Sequence, residues 1–166
     1  MLFDLLDGYT RHLLEVAAQA QSAHVAGRES LYALVRAFLA AYESSHARHI
    51  VLLNDVKYLP RKQRETILNH EREIVAAFSA ALASAYPREV DAQRATPLAM
   101  MLFGMINWTF TWLRPNGRVR YADFAEAVIG MLENGVSGAA RRIAPTARKQ
   151  KAGTARGSTG PSSSET

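Results

Sequence analysis

Glu43 and His46 stand three residues apart and His49 repeats the interval, so a helix through them would gather a carboxylate and two imidazoles on one side. Carboxylate-bridged di-iron bundles use that spacing, but they also need a second Glu-x-x-His and two further carboxylates, which this sequence does not supply. His70 and Glu71 are adjacent on another stretch, and neighbouring helical residues point about 100° apart. The chain has no cysteine, which removes disulfides, thiolate metal sites and cysteine nucleophiles. It also lacks a Gly-rich phosphate loop, a Gly-x-Ser-x-Gly elbow and a His-Glu-x-x-His pair. The expectation is a protein that is not an enzyme and carries no metal or cofactor; a helical-bundle metalloprotein stays as the third alternative because of Glu43 and His46. Asn107, set between Ile106 and Trp108, is the sharpest remaining polar group. A buried amide must find a partner, which could be a ligand, a neighbouring backbone group or a second subunit.

The elements that would position these groups are all helical. Residues 2–24 place Leu2, Leu5/Leu6, Tyr9, Leu13, Val16 and Ala20 at intervals of three and four, the stripe of an amphipathic helix. The pattern is already running at residue 2 with no capping residue ahead of it, and Gly27 is expected to close the helix. A second helix, about 29–47, aligns Leu31, Val35, Phe38 and Tyr42, and the extended stripe reaches His46 and His49. A short apolar segment, 49–59, ends at Pro60, which suits a helix start where its missing N–H costs nothing. From about 61 to 86 the seam is Ile67, Ile74, Phe78, Ala81/Leu82 and Ala85, with Arg61, Lys62, Arg64, Arg72 and Glu73 opposite. The last helix, about 121–136, aligns Phe124, Val128, Leu132 and Val136 but lacks a Ser or Thr cap; Gly135 and Gly138 should end it. No segment alternates with period two, so the fold class is all-α.

The stretch 96–117, TPLAMMLFGMINWTFTWLRPNG, is apolar on nearly every side and holds both tryptophans. Met101, Met105, Trp108 and Trp112 form one stripe; Leu98, Leu102, Ile106, Thr109 and Leu113 form the adjoining one. A helix that is apolar all round must be covered all round, which points to a partner chain. Gly104 costs about 1 kcal/mol in a helix relative to alanine and reads as a point of close contact.

The 166 residues suit one domain, and 48% hydrophobic with 21% charged is ordinary for a globular chain. No apolar run reaches the roughly 18 residues a membrane span needs, and nothing resembles a signal peptide, so the expected location is cytoplasmic, with no membrane partner. The net charge of +5 comes entirely from the end of the chain: residues 1–140 hold 14 basic and 14 acidic side chains, while 141–166 hold six basic and one acidic. The segment 141–166 therefore reads as a basic, Ser/Gly-rich disordered tail behind a folded domain of residues 1–140.

Three stretches together resemble the TetR family of regulators. LNDVKYLPRKQRETILNHEREIVAAF, ending at Phe78, is similar to the family's Asp-x-x-x-Leu-Pro segment and the long helix after it. FGMINWTFTWLRPNG (103–117), followed by FAEAVIGMLENGV (124–136), resembles its last two helices, and LFDLLDGYTRHLLEV (2–16) resembles the long helix behind its DNA-binding head. The resemblance covers about residues 1–138. It implies a TetR-like C-terminal helical domain of about six helices, the last two pairing into a four-helix bundle across the two-fold axis of a homodimer. It also implies a transcriptional regulator whose small apolar effector shifts the dimer geometry. The expected ligand-binding residues are Phe38, Tyr42, His46, Phe78, Phe103, Asn107 and Trp108, with His49 and Arg72 as further polar anchors. The expected dimer interface is Met101, Gly104, Met105, Trp112, Phe124, Val128 and Leu132. Nothing in the sequence matches the helix-turn-helix head that reads the major groove, so DNA is expected only through a missing head. The alternative is a headless dimerisation partner that antagonises a full-length regulator.

Overall fold

A computed structural model describes residues 1–23 and 26–142, with side chains as far as Ser137. Every regular element among them is helical. In order they are α1 (Leu2–Ser22), α2 (Arg28–Ser44), α3 (His46–Asp55), a 3-10 turn (Val56–Tyr58), α4 (Arg61–Ala85), α5 (Ala92–Asn107), a second 3-10 turn (Trp108–Thr111) and α6 (Tyr121–Arg142). None of these helices is long and apolar enough to cross a membrane. The basic tail expected from residue 141 lies outside the described residues from 143 onward; Arg141 and Arg142 belong to α6.

Each helix enters the core through the stripe its spacing dictates. Leu6, Tyr9, Leu13, Ala17 and Ala20 are the buried face of α1, and Leu31, Leu34, Val35, Phe38, Leu39 and Tyr42 that of α2. Along α4 the buried residues are Ile67, Ile74, Phe78, Ala81, Leu82 and Ala85, the expected seam. Phe38 sits at the centre, 4.8 Å from the Phe78 ring and 6.5 Å from the Phe103 ring, locking α2, α4 and α5 together with edge-on aromatic contacts.

The helix ends have local causes, and several differ from expectation. Gly27 does not close α1; it caps the start of α2 with φ 115, a conformation that favours glycine. Pro60 caps α4 as expected, and Leu59 before it is extended because the α region is disfavoured ahead of proline. The apolar helix begins before the expected boundary, at Ala92 rather than near Thr96, because Asp91 accepts from the backbone N–H groups of Gln93 (3.1 Å) and Arg94 (3.0 Å). Pro97 therefore lies inside α5. It and Gln93, whose carbonyl it cannot serve, are both on the exposed side, where water can take the vacancy.

At the other end, α5 stops at Asn107 instead of running through Trp112. The Thr109 hydroxyl donates to the Ile106 carbonyl at 2.6 Å, and the chain tightens into the 3-10 turn that carries Trp108. The two apolar stripes of this segment meet different fates. Leu98, Leu102, Ile106, Thr109 and Leu113 are all buried, whereas Met101, Trp108 and Trp112 remain 54%, 63% and 48% exposed. Finally, α6 starts at Tyr121, where the Arg120 side chain grips Asp123 with two bonds in place of a Ser or Thr cap. It continues past Gly135 to Arg142, longer than expected.

Candidate functional site

A cavity of about 190 Å³ opens among α1, α2, α3, α4 and α5, lined by Leu13, Phe38, Tyr42, His49, Leu52, Leu53, Glu71, Ile74, Val75, Met100, Phe103 and Asn107. It is mostly apolar with a few converging polar groups, the usual constitution of a small-molecule site. Its polar wall is built in sequence. The Tyr42 hydroxyl donates to Asn107 Oδ1 at 2.8 Å, which joins α2 to the end of α5. The His49 ring stacks on Tyr42 at 3.7 Å and is met edge-on by Tyr9 at 6.1 Å.

His49 is 2% exposed, yet neither ring nitrogen has a hydrogen-bond partner. Burial, reinforced by repulsion from His46, pushes its pKa down to about 4. The Asn107 backbone pulls weakly the other way without meeting the geometry of a full hydrogen bond. His49 is therefore neutral near pH 7, with one donor and one acceptor both unused. Glu71, half-buried in the same wall, has its carboxyl pKa raised by burial, with Arg72 opposing.

Of the residues expected to bind a ligand, the structure brings Phe38, Tyr42, Phe103 and Asn107 to this cavity, and three lie elsewhere. Phe78 is fully buried behind the lining, 4.7 Å from the Phe103 ring. His46 turns toward α6, where Nδ1 lies 3.2 Å from the Tyr121 hydroxyl. Trp108 points outward beside Phe110. Of the two extra anchors, His49 lines the cavity, while the exposed Arg72 is occupied by Glu65 at 2.7 Å and by Asn69. His46 and His49 thus diverge, and no group of three or more His, Asp or Glu among the described residues is placed to hold a metal ion. Sequence reasoning missed Leu13, Leu52, Leu53, Glu71, Ile74, Val75 and Met100 as lining. Glu71 had a readable signal: with Ile67, Ile74 and Phe78 it occupies the 4-3-4 spacing of the α4 seam, a carboxylate on an apolar stripe.

A second feature lies on the opposite face. Met101, Met105, Met131 and Leu98 border an apolar groove of about 190 Å³ between α5 and α6. Met131 is 63% exposed and Gly104 is open, with nothing within 4 Å of where a Cβ would stand. Gly104 is thus no close-contact point within one protomer. Trp112 packs edge-on against half-buried Phe124 at 5.3 Å. Val128 and Leu132, expected at a dimer interface, are 2% and 7% exposed in the single chain and belong to its own core.

The comparisons with known proteins agree with this architecture. Residues 24–136 match the family described as Tetracyclin repressor-like, C-terminal domain. Three solved structures resemble the chain. A TetR-family transcriptional regulator from Bordetella parapertussis 12822 is 31% identical with a TM-score of 0.76, over 81% of this chain and 70% of that one. PfmR, a TetR-family transcriptional regulator from Thermus thermophilus, is 20% identical with a TM-score of 0.72, over 81% and 74%. A TetR/AcrR-family regulator from Thermobifida fusca is also 20% identical, with a TM-score of 0.67 over 81% and 72%; these last two likenesses speak for the fold. No curated protein matches the chain. The helical order and the family match together define a TetR-type C-terminal domain. The chain belongs to the TetR family of transcriptional regulators.

Proposed function

We propose that residues 1–140 form the effector-binding and dimerisation body of a TetR-type transcriptional regulator that works as a homodimer. The carrying observation is the cavity itself, which encloses the buried and unpartnered His49 at the meeting point of five helices. A ligand there would touch Leu13 of α1 and Glu71, Ile74 and Val75 of α4. One turn away, the Thr10 hydroxyl and His70 Nδ1, 2.8 Å apart, tie the same two helices together. Filling the cavity would bias how α1 lies on α4, and α1 is the helix that follows the DNA-binding head in regulators of this type. The equilibrium moves only by the ligand's differential affinity for the two arrangements.

The dimer is supported by the exposed stripe Met101, Trp108, Trp112 and Met131, an apolar surface that a second copy would cover. Sedimentation velocity at micromolar concentration tests it. The wild-type chain should run as a dimer and Met131→Glu as a folded monomer. A stable wild-type monomer would overturn the dimer.

A further inference from the structure

The cavity's chemistry also restricts what can enter it, an inference that rests on the effector-site reading above. Among its lining residues Glu71 alone is formally charged at neutral pH, and no lysine or arginine contributes to the wall. Glu71 forms no hydrogen bond or salt bridge with another described residue. Arg72 attracts the Glu71 carboxylate from an adjoining cleft that shares Glu71, Val75 and Met100 with the cavity. Its guanidinium is already committed to Glu65 and Asn69. Phe38, Tyr42 and Phe103 complete a wall that holds a single carboxylate and no fixed positive charge.

We propose that the effector is a compact apolar amine whose ammonium group pairs with Glu71 while its hydrocarbon part fills the space between Phe103, Leu52 and Ile74. A carboxylate or acyl phosphate would meet the opposite field, with no cation to receive it and a desolvation cost left uncompensated. His49, neutral and with both ring nitrogens free, accommodates a neutral polar substituent deeper in the cavity. At about 190 Å³ the space is below the roughly 300–1,000 Å³ of drug-sized sites, which is the reason for a compact molecule.

Calorimetric titration of the full chain with three six-carbon probes, hexylamine, hexanol and hexanoate, tests the assignment at pH 7.5. Hexylamine should bind at least tenfold more tightly than hexanoate, with hexanol between them. Glu71→Gln should bring the three within about threefold, whereas Glu73→Gln, an exposed acid on the same helix, should leave the ranking intact. Hexanoate binding as tightly as hexylamine, or an amine preference that survives Glu71→Gln, overturns the inference and leaves the cavity reading standing. Binding of none of the three overturns the cavity reading and the inference with it. Should Glu71→Gln fail to fold, the wild-type ranking decides.

Discussion

Lowering the pH from 7.5 to 5.0 should destabilise this protein through one buried side chain. His49 has its folded-state pKa held near 4 against an ordinary value of 6.5. Because the folded value is depressed, the unfolded chain binds the proton first as pH falls. The stability that His49 confers is whole above about pH 6.5 and drains away as the pH approaches 4. At pH 5.0 the unfolded imidazole is almost fully protonated and the folded one is mostly neutral, which costs about 2 kcal/mol per chain. Full development toward pH 4 and below costs about 3 kcal/mol. The assay is urea denaturation at fixed protein concentration from pH 7.5 to 4.5, comparing the wild type with His49→Phe, whose ring can keep the stack on Tyr42. The difference in unfolding free energy between the two proteins should shift by about 2 kcal/mol toward the variant between pH 7.5 and 5.0. Parallel pH profiles would refute the reasoning, because they would mean that His49 is hydrated or hydrogen-bonded in the folded state.

Phe78→Ala should cost about 3–5 kcal/mol in denaturant, since Phe78 is fully buried against Phe38 and Phe103 rather than at the cavity wall; a loss under about 1 kcal/mol would contradict that packing. Tyr42→Phe removes the donor to Asn107 Oδ1 and should lower stability by about 1 kcal/mol, read from the urea midpoint, with no change in sedimentation. Gly104→Ala discriminates between surfaces. In a monomer the added methyl meets open space and should stabilise α5 by up to about 1 kcal/mol, whereas a close helix contact across the dimer would turn this into weaker self-association by sedimentation equilibrium.

Much of the helical framework was legible because it rests on local rules. The α4 seam follows from spacing, and Pro60 marks a helix start because of its own ring geometry. Phe38 and Tyr42 could be named for the cavity because they lie on the apolar stripe of α2, and Asn107 because an amide set among apolar residues needs a partner. Other boundaries depended on hydrogen bonds invisible to periodicity: Asp91 starts α5 ahead of the 96–117 stretch, and the Thr109 hydroxyl ends it before the tryptophans. Glu71 lies on the α4 seam, but spacing alone does not tell that this part of the seam faces a cavity.

The order of residues alone was enough to specify an all-α chain, the two apolar stripes of the 96–117 segment and the family resemblance, since these depend on side-chain type and helical period. Which stripe faces the protein's own core was decided only in three dimensions. Leu102 and Met101 are adjacent and both apolar, yet one is fully buried and the other half open. The same holds for His46 and His49: equal spacing suggested a shared task, but one reaches Tyr121 and the other enters the cavity. A helical pattern specifies a direction about its own axis; only the packing of neighbouring helices determines what lies in that direction.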